Sequence, residues 1–213
     1  MATSIQTDQD IPGVVVARDV TFEEYLERYA ASYCELVGSV VRNMSPIHER
    51  HDRLTRYIAT LLEAYFELRP IGRILQAPFV MRLQAAEVAR EPDIQVILHD
   101  NPYALTPTFM DGPADIAIEI VSPESVERDH GQKFVEYEKG GVREYWIIDP
   151  LRSEARFYQL DAEGIYRPQY DYTDDHYTTP LMPGLQIHVA TLWATTLPGP
   201  AKISHIIQEM LQA

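Results

Sequence analysis

Apolar positions along this chain change period several times, and each change predicts an element. Thr21, with Glu24 three residues on, forms a capping box that predicts a helix through about residue 31. The stretch 33–44 alternates apolar and polar residues around Gly38, the pattern of two short strands joined by a turn. Ser45-Pro46 reads as an N-cap followed by proline in the first helical position. Behind it Ile47, Leu54, Ile58, Leu61, Leu62 and Tyr65 recur at helical spacing to about residue 68. Beyond Pro70 the period shortens to two, and 73–83, 93–98 and 115–121 read as strands rich in Ile and Val. A second helix is predicted from about 126 to 139, closed by Gly140-Gly141. EYWIID (144–149) reads as a buried strand, 155–159 and 165–169 as a hairpin, 185–189 as a short strand, and the chain closes with a helix from about Lys202.

This order predicts an α/β (α+β) fold in which helices flank a central mixed β-sheet. With 213 residues the chain suits one domain, read as a loose leader over 1–20, a domain over 21–197 and a C-terminal helix over 198–213. A single cysteine, Cys34, excludes a disulfide framework within the chain and fits an inert core or strand residue in a reducing compartment. No apolar run approaches the ~20 residues a membrane helix needs, and residues 1–10 lack a signal-peptide pattern. The expectation is a soluble, cytoplasmic protein with no membrane partner.

The net charge of −14 argues against a nucleic-acid partner, since such binders draw affinity from neutralising phosphates. The acid is unevenly spread, however. Residues 158–192 hold five acids against one arginine, whereas 41–57 hold four arginines against two acids. Whole-protein charge does not exclude a local cationic groove.

Two strands carry the candidate chemistry. In EPDIQVIL (91–98) the extended period sets Ile94, Val96 and Leu98 on one face, with Asp93 and Gln95 on the other. In DIAIEIV (115–121) Ile116, Ile118 and Ile120 share a face opposite Asp115, Ala117 and Glu119. A carboxylate at Glu119, mid-strand between isoleucines, is costly unless it is paired, hydrogen-bonded or bound to a cation. If the strands are neighbours, Asp93 and Glu119 converge, and a divalent cation would relieve their repulsion. Oxygen-only ligation of that kind suits Mg²⁺ or Mn²⁺. The plainer reading makes Asp93 a turn residue and pairs Glu119 with an arginine. Asp129, Lys133 and Tyr137 follow at i,i+4 steps on one helix face. Lys133 either faces the carboxylates, where it would orient water or stabilise a developing oxyanion, or forms a solvated pair with Asp129. The seven histidines show no HExxH spacing, and the chain has no Walker loop, GxGxxG or GxSxG. His48 falls near a predicted helix start, and Tyr145-Trp146 reads as core.

Taken together, EPDI (91–94), ADIAIEIVSPES (114–125), Lys133, Tyr137 and GVREYWIIDP (141–150) resemble the Uma-type putative restriction endonuclease family, part of the PD-(D/E)XK nuclease superfamily. GSVVRNMSPIHERH (38–51) and TFEEYL (21–26) match its layout too, so the resemblance spans roughly 20 to 190. It implies a restriction-endonuclease-like core and Mg²⁺-dependent hydrolysis of DNA phosphodiester bonds. Asp93 would be the PD aspartate and Glu119 the first acid of the (D/E)XK element, both as metal ligands. Two positions after Glu119 stands Val121 in place of a lysine. The family is similar in taking a lysine from the following helix, which makes Lys133 the substitute and the third catalytic candidate. A homodimer would suit cleavage of both strands of a duplex. A catalytically silent nuclease-fold binding or assembly protein and a small-molecule phosphodiesterase are the competing functions.

Overall fold

The computed structural model describes residues 14–32, 34–43, 48–169 and 175–212. Within the leader read over 1–20, β1 (Val15–Ala17) already belongs to a sheet. In α1 (Phe22–Arg28) the Thr21 hydroxyl accepts the Glu24 N–H at 3.2 Å, as expected of the cap. The Glu24 carboxylate turns instead to Arg28, so only half the capping box forms and the helix stops short of residue 31. β2 (Cys34–Val37) and β3 (Val40–Asn43) make the expected hairpin, with Gly38 at φ +58° in the turn. α2 (Glu49–Leu68) is capped by His48, and the predicted start at Ser45-Pro46 lies outside the described residues.

The run read as one strand over 73–83 is two, β4 (Gly72–Gln76) and β5 (Val80–Leu83), which enter different sheets. Pro78 sits between them, where a residue without an N–H cannot continue a ladder. Then come β6 (Val88–Arg90), β7 (Ile94–Leu98), β8 (Ala104–Leu105), β9 (Phe109–Asp111) and β10 (Ile116–Ile120). The predicted second helix opens as a π-type turn, Arg128–Gln132, and continues as α3 (Lys133–Gly140) to a left-handed Gly141 at φ +84°. β11 (Glu144–Asp149), β12 (Glu154–Leu160), β13 (Tyr166–Pro168), β14 (His176–Thr178), β15 (Gln186–His188), α4 (Val189–Leu192) and α5 (Pro200–Met210) complete the order.

The central sheet runs β13-β12-β11-β10-β7-β4. β10 and β11 are parallel and the other neighbours antiparallel, which makes it mixed as predicted. A second sheet, β1-β3-β2-β6-β5-β9-β8, was not foreseen. The alternation in β7 and β10 divides two cores. Ile94, Val96, Leu98, Ile116, Ile118 and Ile120 pack with α2 and α5 on one face. Ile97, Ala117 and Ile147 pack on the other with Met81 and Leu83 of β5, Val88 of β6 and Tyr137 of α3. Both faces are covered, so Glu119 is sealed in rather than offered to solvent. Each isoleucine flanking it contributes roughly 1.5–3 kcal/mol by burial, enough to hold an unfavourable carboxyl in place.

Candidate active site

Register brings the two predicted carboxylates together. β10 pairs with β7 as Ile116↔Val96, Ala117↔Gln95 and Ile118↔Ile94, and just past the end of that ladder Asp93 reaches the Ile120 N–H beside Glu119. Asp93 lies in the bend just before β7, as a turn residue would. Its Oδ2 accepts the Ile120 N–H at 2.7 Å and takes a hydrogen bond from His51 Nε2 at 3.0 Å. Glu119 is tied in the same one-sided way, with Oε1 accepting from Lys133 Nζ at 2.7 Å and from the Tyr137 hydroxyl at 2.6 Å. Its partner is thus a lysine rather than the arginine of the plainer reading.

Lys133 is not part of a solvated pair. It is 1% exposed, and its ammonium reaches Glu119, Glu35 at 3.4 Å and Asp129 at 3.6 Å. An i,i+4 spacing gives no warning of this, because it is identical on solvated and buried helix faces. Glu35 comes from β2 in the second sheet and also pairs with buried Arg90 at 2.7 Å, which in turn holds Glu136. Neither Glu35 nor His51 was singled out from sequence. Glu35 alternates with apolar neighbours in β2, and its partners lie far along the chain. His51 stands on the site-facing side of α2 without any motif to mark it. His48, the histidine noted near a helix start, is exposed and bonds Glu124 at 3.1 Å, away from this cluster.

The π-type turn places Asp129. Its closing bond runs from the Lys133 N–H to the Arg128 carbonyl, so the Asp129 carbonyl loses the partner an α-helix would supply. The Tyr145 hydroxyl takes that carbonyl at 2.8 Å, a specific polar role for a residue read only as core. Asp129 itself is 1% exposed.

Electrostatics follow from burial. Burial drives the Glu119 carboxyl up to about 8; Lys133 opposes this, while Asp93 and Asp129 add to it. Asp129 is raised chiefly by burial as well. Burial disfavours the Lys133 ammonium, but Glu119, Glu35 and Asp129 outweigh it and hold the charge above the ordinary lysine range. Glu35 goes the other way: burial opposes its charge, yet Lys133, Arg90 and Arg128 bring it down to about 2. His51 is raised despite burial, by its bond to Asp93 and the charges of Asp93, Glu119 and Asp129.

A divalent cation fits part of this set. Among the described residues no three His, Cys, Asp or Glu side chains form a ready-made cage. Mg²⁺ does not require one, since it commonly binds through one or two carboxylates and keeps several waters. Asp93 and Glu119 each have one oxygen engaged by donors among the described residues, and the other could face such an ion.

The family model of the Uma2 putative restriction endonucleases matches residues 22–190. The chain belongs to the Uma2 family. No curated protein matches it. Among solved structures, a putative nuclease from Anabaena variabilis superposes on the Uma2 chain with a TM-score of 0.68, at 17% identity over 82% of this chain and 97% of the other. Likeness at that identity establishes the fold, a nuclease fold with a central mixed sheet and flanking helices.

Around the site, the arginines expected to form a cationic segment in this Uma2 chain are largely engaged. Arg50 donates to the Leu192 and Ala194 carbonyls, Arg53 pairs with Glu49, Arg56 pairs with Asp52, and Arg42 is buried. An open cleft of about 460 Å³ instead flanks the π-type turn, lined by His130, Arg152 and Arg156 together with Glu127. Among the described residues no helix is long and apolar enough to cross a membrane.

Proposed function

We propose that this protein hydrolyses DNA phosphodiester bonds with the help of Mg²⁺ or Mn²⁺. The observation that carries the reading is the neighbouring pair Asp93 and Glu119, each with one oxygen tied down, beside a buried Lys133 that donates to Glu119 at 2.7 Å. Asp93 and Glu119 would hold the ion, which supplies Lewis-acid stabilisation of charge on the phosphoryl oxygens and a more acidic water. Lys133 stays protonated among its carboxylates, so it stabilises negative charge and does not take a proton. Tyr137 and His51 fix the carboxylate rotamers, the orienting role that hydrogen-bond partners play around metal ligands. Membership of a family described as putative restriction endonucleases supports the reaction class.

The test is incubation with supercoiled plasmid and Mg²⁺ or Mn²⁺, with Asp93→Asn and Glu119→Gln alongside. Metal-dependent nicking by the wild type and its loss in both folded variants is the expected result. Wild-type rates in either variant would remove these residues from the site. The net charge of −14 favours a second reading, a nuclease-fold protein that binds or assembles without cutting. It predicts no nicking by any of the three proteins.

A further inference from the structure

Asp129 is a buried carboxyl with one oxygen held by ion pairs alone. Its Oδ1 is sealed from solvent and has no hydrogen-bond partner among the described residues. Buried polar atoms in native structures nearly always have one, because leaving a group unpaired costs its full desolvation. The nearest cations do not cure this: Lys133 Nζ is 3.6 Å away and Arg128 Nε 3.8 Å away, beyond good hydrogen-bond range. The fold nevertheless works to keep Asp129 where it is. The π-type turn shifts the backbone there, and buried Tyr145 anchors the carbonyl of the same residue. Lys133 Nζ lies 2.7 Å from Glu119 Oε1 and 3.6 Å from Asp129 Oδ1, so the two carboxyls share one ammonium.

Resting on the function proposed above, we infer that Asp129 is a further catalytic residue, whose Oδ1 accepts a hydrogen bond from the water that attacks phosphorus. The other groups of the cluster are committed elsewhere. Lys133 is held charged and has no lone pair, Glu35 is engaged by Arg90 and Lys133, and His51 directs Nε2 at Asp93. Gln95 Oε1 is also buried and unpartnered, but an amide oxygen does not take up a proton. In the step, the water oxygen bonds to phosphorus as the bond from phosphorus to one sugar oxygen breaks. One proton of the water passes to the Asp129 carboxylate, which gives it up when product departure readmits solvent to the site, and the departing sugar oxygen takes a proton from solvent. The products are a phosphomonoester and a free hydroxyl.

The experiment compares the wild-type chain with Asp129→Asn, Asp129→Ala and Asp93→Asn. It measures kcat and KM on plasmid, affinity for a fluorescein-labelled duplex in Ca²⁺, and metal-free melting. Asp129→Asn is expected to lower kcat by about 10²–10⁴-fold, as removal of a positioned proton acceptor does. KM and duplex affinity should be unchanged, with melting within a few degrees of the wild type, because the amide keeps the volume and Lys133 retains Glu119 and Glu35. Asp129→Ala repeats the comparison if the amide crowds Lys133. A melting temperature well below wild type in both variants, with kcat and KM degraded together, would mark Asp129 as a structural anchor and overturn the inference. Wild-type kcat in Asp129→Asn while Asp93→Asn is dead would overturn it and leave the proposed function standing. No cleavage by the wild-type chain would overturn both.

Discussion

At the scale of single residues, the site is a set of acids that burial has set against their ordinary behaviour. The folded state holds the Glu119 proton up to about 8 against an ordinary 4.5, and burial does the same for Glu91, whose carboxyl meets the Tyr25 hydroxyl at 2.8 Å. A carboxyl raised in this way binds its proton more tightly folded than unfolded. Its contribution to stability is therefore complete below 4.5 and lost as pH rises toward 8. His51, also raised, adds a loss of the same sign, whereas Glu35, held near 2, loses its contribution as pH falls from about 4.5 toward 2. The metal-free protein should thus lose urea resistance steadily from about pH 5 to pH 8. Glu119→Gln and Glu91→Gln should each flatten that slope in midpoint measurements at three pH values. A slope identical to wild type in both variants would show that neither carboxyl carries the effect. Asp93 and Glu119 were legible as residues because period-two alternation isolates a carboxylate among isoleucines. Burial of Lys133 and the unpaired oxygen of Asp129 were not, since both depend on what covers the helix face.

Among the elements, β7 and β10 were readable from alternation, β11 as a buried strand, and α2 from its long apolar stripe. The second sheet was not, because its strands run only two to four residues and show too few repeats for a period to emerge. The break between β4 and β5 was written in Pro78 but obscured by apolar residues on both sides. No sequence pattern foretold the π-type turn either; it is recognisable only from the bond that skips the Asp129 carbonyl. That bond gives an element-scale prediction. Tyr145→Phe keeps the ring in the core and leaves the carbonyl without its 2.8 Å donor, a loss of about 1–3 kcal/mol for an unsatisfied buried acceptor. Urea unfolding should show this as a lower midpoint with an unchanged m-value. An unaltered midpoint would mean that the turn does not need the hydroxyl.

Across the whole molecule, the cluster around Lys133 joins separate layers. Glu35 belongs to the second sheet, Glu119 to the central one, and Asp129 and Lys133 to the segment packed between them. Glu35→Gln would strip one charge from Arg90 and Lys133 together, and breaking a buried pair costs about 3–5 kcal/mol. Calorimetry should record a large fall in melting temperature, with activity lost in the same transition. A small shift would mean that Glu136 and Glu119 alone suffice for the two cations. This junction also bears on safety. Under the function proposed above, a chain able to cut DNA before it had finished folding would be a hazard to the cell that makes it. Here the ammonium finds its full set of partners only once the two sheets have docked. Under that reading a partly assembled chain carries the acids without their arrangement, and cutting would require both sheets to be in place.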